Sequence, residues 1–510
     1  MTHFLQAGPV QVRYEAGFLR YLTLNGQEVV RMIYFAVRDH LWQTAQLSIT
    51  NEVITHTVDS FRIDYQWHTY DLGIQITGGV VIEGARDGSI SFDFYGEAVN
   101  QFASNRVGIC VLHPLDGVTG EPCQITHPDG RHTDGRFPRF ISPHQPFLNI
   151  RQLRWQPASG HGLQLDFDGD VFEMEDQRNW TDSSFKTYST PLTKPVPVVR
   201  KTGDTVRQQV VFQVLDDASA RQPAPVQGAV LAPQPSPTSR HEKPIRPVLG
   251  LGQRADGQPL TPAEAERLRS LTVHHLRADV LLTVAGWESR LTNAVMDAHA
   301  LQVSLELALF FGKDPVFELD QLLLMMDNRS VAVSSVLIFN AHTLRSDDAL
   351  LRLVTPQLRL AWPSTLLGGG TDNSFVELNR NPFDFALVDF VVYSINPQVH
   401  ATDDLSVLES IEGQRATVQT AKQLTSGKPI HISPVTLLPR YPPIVESIAQ
   451  RLSPPVDIRQ STQFTADWTR QSIDVLSRAG VGSITFYETH GPRGLVDYER
   501  LYLCANELSP

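Results

Sequence analysis

Between residues 244 and 510, short β-rich runs alternate with helical stretches eight times. Eight strand–helix units in about 250 residues match the size and rhythm of the (β/α)8 TIM barrel. A doubly wound open sheet is the competing fold, but this segment has no glycine-rich dinucleotide fingerprint, which favours the barrel. The predicted strands are Ile245–Gly250, His275–Leu281, Val303–Phe310, Ser335–Phe339, Thr365–Gly369, Leu387–Ser394, Ile430–Val435 and Gly482–Tyr487.

Helix boundary signals fall between these strands. Thr261–Glu264 reads Thr-Pro-Ala-Glu, a capping box with proline at the first helical position. Further helices are predicted over Glu288–Ala300, Leu405–Leu424 and Asp467–Ala479, and Gly480 is a stop signal for the last of them. The C-terminal half is therefore predicted to be a TIM barrel domain covering residues 244–510.

Residues 1–215 show a different pattern. Short stretches alternate apolar and polar residues, and Asn-Gly and Asp-Gly pairs punctuate them, as at Asn25-Gly26 and Asp87-Gly88. Period-two alternation with such turns is typical of antiparallel sheets packed as a β-sandwich. A chain of 510 residues is also too long for one hydrophobic core. An N-terminal β-sandwich domain is therefore predicted over residues 1–215.

The composition changes between residues 216 and 243. Five prolines lie there among Ala, Gln and Ser. Proline removes backbone donors and stiffens the chain, so this segment is predicted to be an extended linker between the two domains.

Charge and composition exclude several kinds of partner. The net charge of −12 has no basic run to offset it, so a nucleic acid partner is not expected. No apolar run reaches the roughly 20 residues that span a bilayer, and the N-terminus lacks the pattern of a signal peptide. The three cysteines have no metal-ligand spacing and cannot all pair, which suits a reducing compartment. We expect a cytoplasmic protein that does not bind membranes; its oligomeric state is left open.

In a TIM barrel, chemistry takes place where each strand meets the loop that follows it. Carboxylates, amides and imidazoles occur at several of these positions, a mixture that suits a sugar-like ligand. Glu306 lies inside its strand and has a second interpretation as a buried ion-pair partner of Arg277. The candidate site residues are Arg277, Glu306, Asn340, Glu377, Asn379, His400 and Glu488.

Two further observations concern metals and the N-terminal half. The 17 histidines and three cysteines show no metal-binding spacing, so neither a metal nor another cofactor is expected. The segment from Phe172 to Tyr188 is dense in charged, amide and aromatic groups and fits no regular pattern. It is either a solvated loop or a loop that closes over the barrel mouth, in which case it would contribute Glu173, Glu175, Arg178 or Trp180 to ligand binding.

Five stretches have an unusual sequence: Asn105–Pro114, Ile141–Phe147, Glu173–Asp182, Asn396–Ala401 and Tyr487–Gly494. They resemble stretches of the D-apionate lactonase family, and the resemblance spans both predicted domains. It implies hydrolysis of a branched aldonolactone, D-apionolactone, to D-apionate in carbohydrate catabolism. A small sugar lactone is then the expected ligand.

The predicted barrel is also similar to those of retaining glycoside hydrolases, with two departures. Their fourth strand typically ends in Asn-Glu, where this chain has Asn340-Ala341, and Ile430–Val435 lacks the glutamate expected on the seventh strand. Ordinary retention needs two carboxylates flanking the glycosidic bond. A glycoside hydrolase with displaced carboxylates, Glu377 and Glu488, is therefore the first alternative, and a non-catalytic carbohydrate-binding protein is the second.

Lactone hydrolysis needs a base for water, donors for the oxyanion and an acid for the ring oxygen. A carboxylate suits the first role because it is ionised near neutral pH. Glu488 is preferred to Glu377 as the base because the sequence pattern of the strand before Glu488 is the clearer of the two. Arg277 and Asn340 are the expected oxyanion donors, and His400 is the expected proton donor.

Overall fold

The computed structural model describes residues 2–157, 160–215, 246–327, 329–441, 447–497 and 500–508. The described chain forms two compact units. One comprises residues 2–177 and 184–215, and the other comprises Arg178–Ser183 together with the described residues from 246 onward. The linker predicted over residues 216–243 lies outside the described residues and stays a prediction.

The described part of the first unit is built from strands, and the short 3-10 helix Gln177–Trp180 begins at its boundary and continues into the second unit. The strands are β1 Thr2–Ala7, β2 Val10–Glu15, β3 Phe18–Leu24, β4 Gln27–Asp39, β5 Ser48–His56, β6 Phe61–Asp71, β7 Ile74–Gly84, β8 Ile90–Ala98, β9 Phe102–Pro114, β10 Pro122–Thr126, β11 His132–Arg136, β12 Phe147–Ile150, β13 Gln152–Trp155, β14 Gly162–Asp168, β15 Phe172–Asp176, β16 Ser184–Tyr188, β17 Val198–Arg200 and β18 Thr205–Leu215.

These strands form two antiparallel sheets that share one hydrophobic core. The first sheet has the order β1-β2-β3-β4-β9-β16-β15-β12, with β17 paired to β9, and the second has the order β11-β10-β13-β14-β18-β8-β7-β6-β5. Buried side chains of both sheets meet between them: Phe35 on β4 lies 4.7 Å from Trp67 on β6 and 4.5 Å from Phe94 on β8, measured between ring centroids. The β-sandwich prediction is confirmed.

The second unit contains a closed parallel barrel. Eight parallel strands pair in chain order, and the first pairs with the eighth, for example Gly250 with Thr485. The strands of this sheet are β19 Val248–Gly252, β20 His275–Leu281, β21 Ser304–Phe311, β22 Val333–Asn340, β23 Leu366–Gly370, β24 Phe390–Ile395, β25 Ile430–Val435 and β26 Ser483–His490, followed by the short β27 Gly494–Asp497 and β28 Arg500–Leu501. All eight predicted barrel strands are present, and the TIM barrel prediction is confirmed.

Helices follow most of the barrel strands. They are α1 Pro262–Leu268, α2 Trp287–Leu301, α3 Pro315–Met326, α4 Asp348–Ala361, α5 Phe375–Arg380, α6 Asp404–Leu424 and α7 Gln463–Arg478, with 3-10 helices at Phe385–Leu387, Ile448–Leu452 and Leu503–Leu508. The capping box predicted before α1 is formed: Thr261 Oγ1 accepts the Glu264 backbone N–H, and the Glu264 carboxylate accepts the Thr261 N–H at 2.9 Å. In the ranges that the structure covers, no helix has both the length and the apolar character needed to cross a membrane.

One buried carboxylate on α2 gives a testable effect on stability. Asp297 is buried, and its Oδ1 accepts the Leu260 backbone N–H at 2.9 Å. Burial, opposed by that hydrogen bond and reinforced by Glu264, raises the pKa of Asp297 to about 6. Between about pH 4 and 6 the folded chain therefore holds a proton that the unfolded chain releases, so the stability of the wild-type protein falls as pH rises through this window.

Replacing Asp297 with asparagine is expected to remove this pH dependence. At pH 8 the Asp297→Asn protein should be more stable than wild type by on the order of 2–3 kcal/mol, since one pKa unit is about 1.4 kcal/mol. At pH 4 the two proteins should be alike. Urea unfolding at both pH values measures the difference, with Asp474→Asn on the exposed face of α7 as the control. An Asp297→Asn protein that gains no stability between pH 4 and pH 8 relative to wild type would contradict the prediction.

Candidate active site

A cavity opens at the C-terminal ends of four adjacent barrel strands, β25, β26, β19 and β20. In TIM barrels this end of the strands carries the active site. Its walls combine four arginines with carboxylates, among them Arg277, Asp279, Arg440, Arg451, Glu488 and Arg493.

Glu488 reaches the cavity because β26 contains a bulge. Side chains along a strand alternate between its two faces, and Thr485 points into the barrel, where it contacts His275 and Glu306. Regular alternation would then turn residue 488 outward. Instead the pairing with β19 shifts by one residue at Tyr487, whose φ is 47° and whose hydroxyl contacts Thr469 on α7. A bulge re-aims the following side chain, so Glu488 faces inward.

The partner strand leaves room for this bulge at Gly252. A Cβ atom on Gly252 would lie 2.7 Å from the Tyr487 carbonyl oxygen, closer than van der Waals contact allows. Glycine at the end of β19 therefore permits the close approach of the two backbones.

The Glu488 carboxylate is held in place by one arginine. Its side chain is 8% exposed, and Arg493 donates to it through Nε at 2.9 Å and Nη2 at 3.3 Å. Arg493 also donates through Nη1 to the Pro454 carbonyl oxygen at 3.0 Å. The carboxylate is thus fixed in orientation while it lines the cavity.

Beside Glu488 lies a buried cluster of three arginines and two aspartates. Arg277 donates to Asp279 at 2.9 Å and also to Asp372. Arg440 lies 2.5 Å from Asp372 and 3.4 Å from Asp279, and Arg451 lies 2.5 Å from Asp279. Although burial opposes ionisation, the guanidinium groups of Arg277, Arg451 and Arg440 hold the pKa of Asp279 well below its usual range. Glu306 also acts electrostatically on Arg277, so the three guanidinium groups face three buried carboxylates.

The two expected oxyanion donors are engaged elsewhere. All three nitrogens of the Arg277 guanidinium donate hydrogen bonds, to Asp279, to Ser433 and to Asp372. The side-chain oxygen of Asn340 accepts the backbone N–H groups of the next turn, at 2.8 and 3.2 Å, and Asn340 is not among the residues that line the cavity. Arg277 lines the cavity but has its donors directed to protein groups.

Glu306 occupies the barrel interior below the cavity. Its carboxylate accepts from Ser433 at 2.5 Å, Ser335 at 3.0 Å and Thr485 at 3.3 Å. Burial alone would raise the pKa of Glu306. His275 and, to a smaller extent, Arg277 outweigh burial, so the pKa of Glu306 is lowered. The hydrogen bonds of Glu306 are thus to hydroxyl groups, with His275 Nε2 4.0 Å from its carboxylate, and the carboxylates that Arg277 contacts directly are the two aspartates.

Glu377 and Asn379 lie on α5 rather than at the cavity. The Glu377 side chain is 36% exposed, 3.8 Å from Arg345. Asn379 is buried and donates through Nδ2 to Asn179 Oδ1 at 2.9 Å. Neither residue lines the cavity beside Glu488.

His400 contacts a segment that comes from the first half of the sequence. Arg178–Ser183 belongs to the compact unit of the barrel. His400 Nδ1 lies 2.7 Å from Asp182 Oδ2, and the His400 ring packs edge-on against Trp180. Arg178 is buried in the same segment, whereas Glu173 and Glu175 lie on β15 of the first unit. The predicted loop is thus divided: Arg178–Ser183 belongs to the barrel unit near the ends of β23 and β24, and Glu173 and Glu175 do not.

The sequence interpretation missed Arg440, Arg451 and Asp372 as site residues. Arg440 and Arg451 lie between β25 and α7, in a connection of 27 residues. Loops that follow barrel strands are usually 2–6 residues long, and long ones are commonly functional. The length of this connection is the signal that could have identified them.

Within the described ranges, no group of three or more His, Cys, Asp or Glu side chains is arranged to hold a metal ion.

Comparison with known proteins places both units in one family. A family model described as D-apionate lactonase, N-terminal domain, matches residues 1–217, and a model described as D-apionate lactonase, TIM barrel domain, matches residues 249–509. A protein from Brucella anthropi named D-apionate lactonase is 30% identical, over 97% of this chain and 83% of that protein.

Solved structures give weaker matches. A β-glucuronidase from Ruminococcus gnavus is 9% identical with a TM-score of 0.34, covering 91% of this chain and 67% of that one. A galactose mutarotase related enzyme from Lactobacillus acidophilus is 8% identical with a TM-score of 0.28, covering 42% of this chain and 98% of that one. Nothing is concluded from similarities at this level.

Proposed function

Because this chain belongs to the D-apionate lactonase family, we propose that it hydrolyses D-apionolactone to D-apionate, with Glu488 as the general base. The observation that carries the assignment of the base is the position of Glu488. Its carboxylate lines the cavity at the C-terminal end of the barrel, turned inward by the bulge at Tyr487 and oriented by Arg493. The chain is an enzyme of the carboxylic ester hydrolase class; the identity of the lactone and the mechanism are our proposals.

In the proposed reaction one group, Glu488, moves a proton twice. Glu488 takes a proton from water, and the water oxygen attacks the lactone carbonyl carbon. When the bond between that carbon and the ring oxygen breaks, Glu488 returns the proton to the ring oxygen, giving the open hydroxy acid. General base catalysis of this kind typically contributes about 10²–10⁴-fold in rate. His400, expected from the sequence to be the acid, does not line the cavity. We propose instead that its contact with Asp182 positions the segment Arg178–Ser183.

Glycoside hydrolysis is the less favoured alternative because its two candidate carboxylates are not placed together. Glu488 lines the cavity and Glu377 does not. A retaining mechanism requires both carboxyl groups to flank one glycosidic bond.

The test is to incubate the purified protein with five-carbon aldonolactones, including D-apionolactone, and separately with aryl glycosides. We expect acid release above the spontaneous rate with the lactone and no chromophore release from the glycosides. Chromophore release without acid release would favour the glycoside hydrolase. Neither activity, together with thermal stabilisation by sugars, would favour a binding protein.

Removing divalent ions is expected to leave the lactonase rate unchanged. A carboxylate base needs no metal to activate water, and the sequence shows no metal-ligand spacing among its histidines and cysteines. The rate of acid release should be the same before and after dialysis against EDTA. Loss of activity that a divalent ion restores would overturn the prediction.

A further inference from the structure

Two cavity arginines hold donors for which the described part of the chain provides no acceptor. Arg440 and Arg451 are buried, with 7% and 5% of their surfaces exposed, and both line the cavity that contains Glu488. Each makes its ion pairs through Nη2. The Nε and Nη1 atoms of both side chains are buried without a hydrogen-bond partner among the described residues.

Buried donors without acceptors are costly, and native proteins usually satisfy them. Here four guanidinium nitrogens on two cationic side chains lack an acceptor among the described residues. The group that would satisfy these cationic donors best is an anion with several acceptor oxygens. A carboxylate has these properties, with two oxygens and about four acceptor sites.

We propose that Arg440 and Arg451 bind the carboxylate of a small polyhydroxy acid, and that the same donors stabilise the oxyanion that precedes it. The inference rests on the proposed function, in which the lactone carbonyl becomes an oxyanion and then the product carboxylate. The neutral lactone offers no full negative charge. Donors of this kind therefore stabilise the transition state more than the substrate, which accelerates the reaction. They also make the aldonate product an inhibitor.

The test measures binding separately from turnover in the full-length protein. Calorimetric titration with D-apionate and with D-ribonate is compared with titration with the uncharged polyol ribitol. The variants are Arg440→Lys and Arg451→Lys, since lysine keeps the charge that pairs with Asp372 or Asp279 but lacks the Nε and Nη1 donors. Arg478→Lys, on the exposed face of α7, is the matched control.

We expect wild type and Arg478→Lys to bind at least one of the aldonates at least tenfold more tightly than ribitol. Arg440→Lys and Arg451→Lys should lose at least tenfold of that affinity and about 10²–10³-fold in kcat, the usual effect of removing an oxyanion donor. If both lysine variants, with thermal melting that shows them to be folded, bind the aldonates as tightly as wild type does, the inference is overturned.

The outcomes also separate this inference from the proposed function. Arginine-dependent aldonate binding by a wild-type protein that hydrolyses no lactone would support the carboxylate site and contradict the proposed reaction. Lactone hydrolysis by a wild-type protein that does not prefer aldonates to ribitol would support the reaction and overturn the site.

Discussion

The Glu488→Gln protein is expected to lose about 10²–10⁴-fold in kcat for lactone hydrolysis while it still folds and binds the lactone. Glutamine has the shape of glutamate but cannot take a proton from water. The cavity wall should stay in place because Arg493 can still donate to the amide oxygen. Initial rates of acid release, followed with a pH indicator at several lactone concentrations, separate kcat from KM.

Two further variants sharpen this result. Glu488→Asp keeps a carboxylate one methylene further back, so it should recover part of the activity that Glu488→Gln loses. Glu377→Gln should turn over at the wild-type rate, because Glu377 is on α5 beside Arg345 and does not line the cavity. Near-normal turnover by Glu488→Gln with an inactive Glu377→Gln would reverse the assignment. If both stayed active, the base would lie elsewhere on the rim.

The largest loss of stability is expected for Asp372→Asn. The Asp372 side chain is 0% exposed and accepts from Arg277, from Arg440 at 2.5 Å and from the Tyr441 hydroxyl at 2.6 Å. Asparagine removes the negative charge and leaves Asp279 as the one aspartate that the three buried guanidinium groups share. Breaking buried ion pairs in this way costs about 3–5 kcal/mol, which urea unfolding would measure.

The matched control is Asp474→Asn. Asp474 pairs with Arg478 on α7, and both side chains are at least 60% exposed. Exposed pairs contribute about 0–1 kcal/mol, so this variant should unfold almost as wild type does. Adding Arg440→Gln to Asp372→Asn should recover part of the loss, since it removes one of the two guanidinium charges that Asp372 pairs with in the wild-type protein. If Asp372→Asn alone lowered the free energy of unfolding by less than 1 kcal/mol, the ion pairs of Asp372 would not stabilise the fold as described.

The barrel could be predicted from the sequence because its signals are local. Each strand and helix carries its own periodicity, and caps such as Thr261 mark their boundaries. The rule that catalytic groups follow strand ends then pointed to Glu488. That rule did not include the bulge at Tyr487, which turns the Glu488 side chain inward and which no local sequence pattern predicts.

The arginine cluster could not be predicted in the same way because its members come from separate elements. Arg277 is on β20, Asp372 follows β23, and Arg440 and Arg451 lie in the long connection after β25. Their ion pairs depend on where that connection places Arg440 and Arg451, which sequence periodicity does not encode. The same reason explains why Arg277, expected to donate to a ligand, has its donors directed to protein groups.

The central claim is that lactone hydrolysis takes place in the cavity at Glu488, and a ligand complex tests it most directly. Crystals of the full-length Glu488→Gln protein, soaked with D-apionolactone, should trap the unreacted substrate. We predict the lactone carbonyl carbon about 3–3.5 Å from a water molecule bound to residue 488, with the carbonyl oxygen directed at Arg440 and Arg451. Lactone bound at another site, with this cavity empty, would contradict the account.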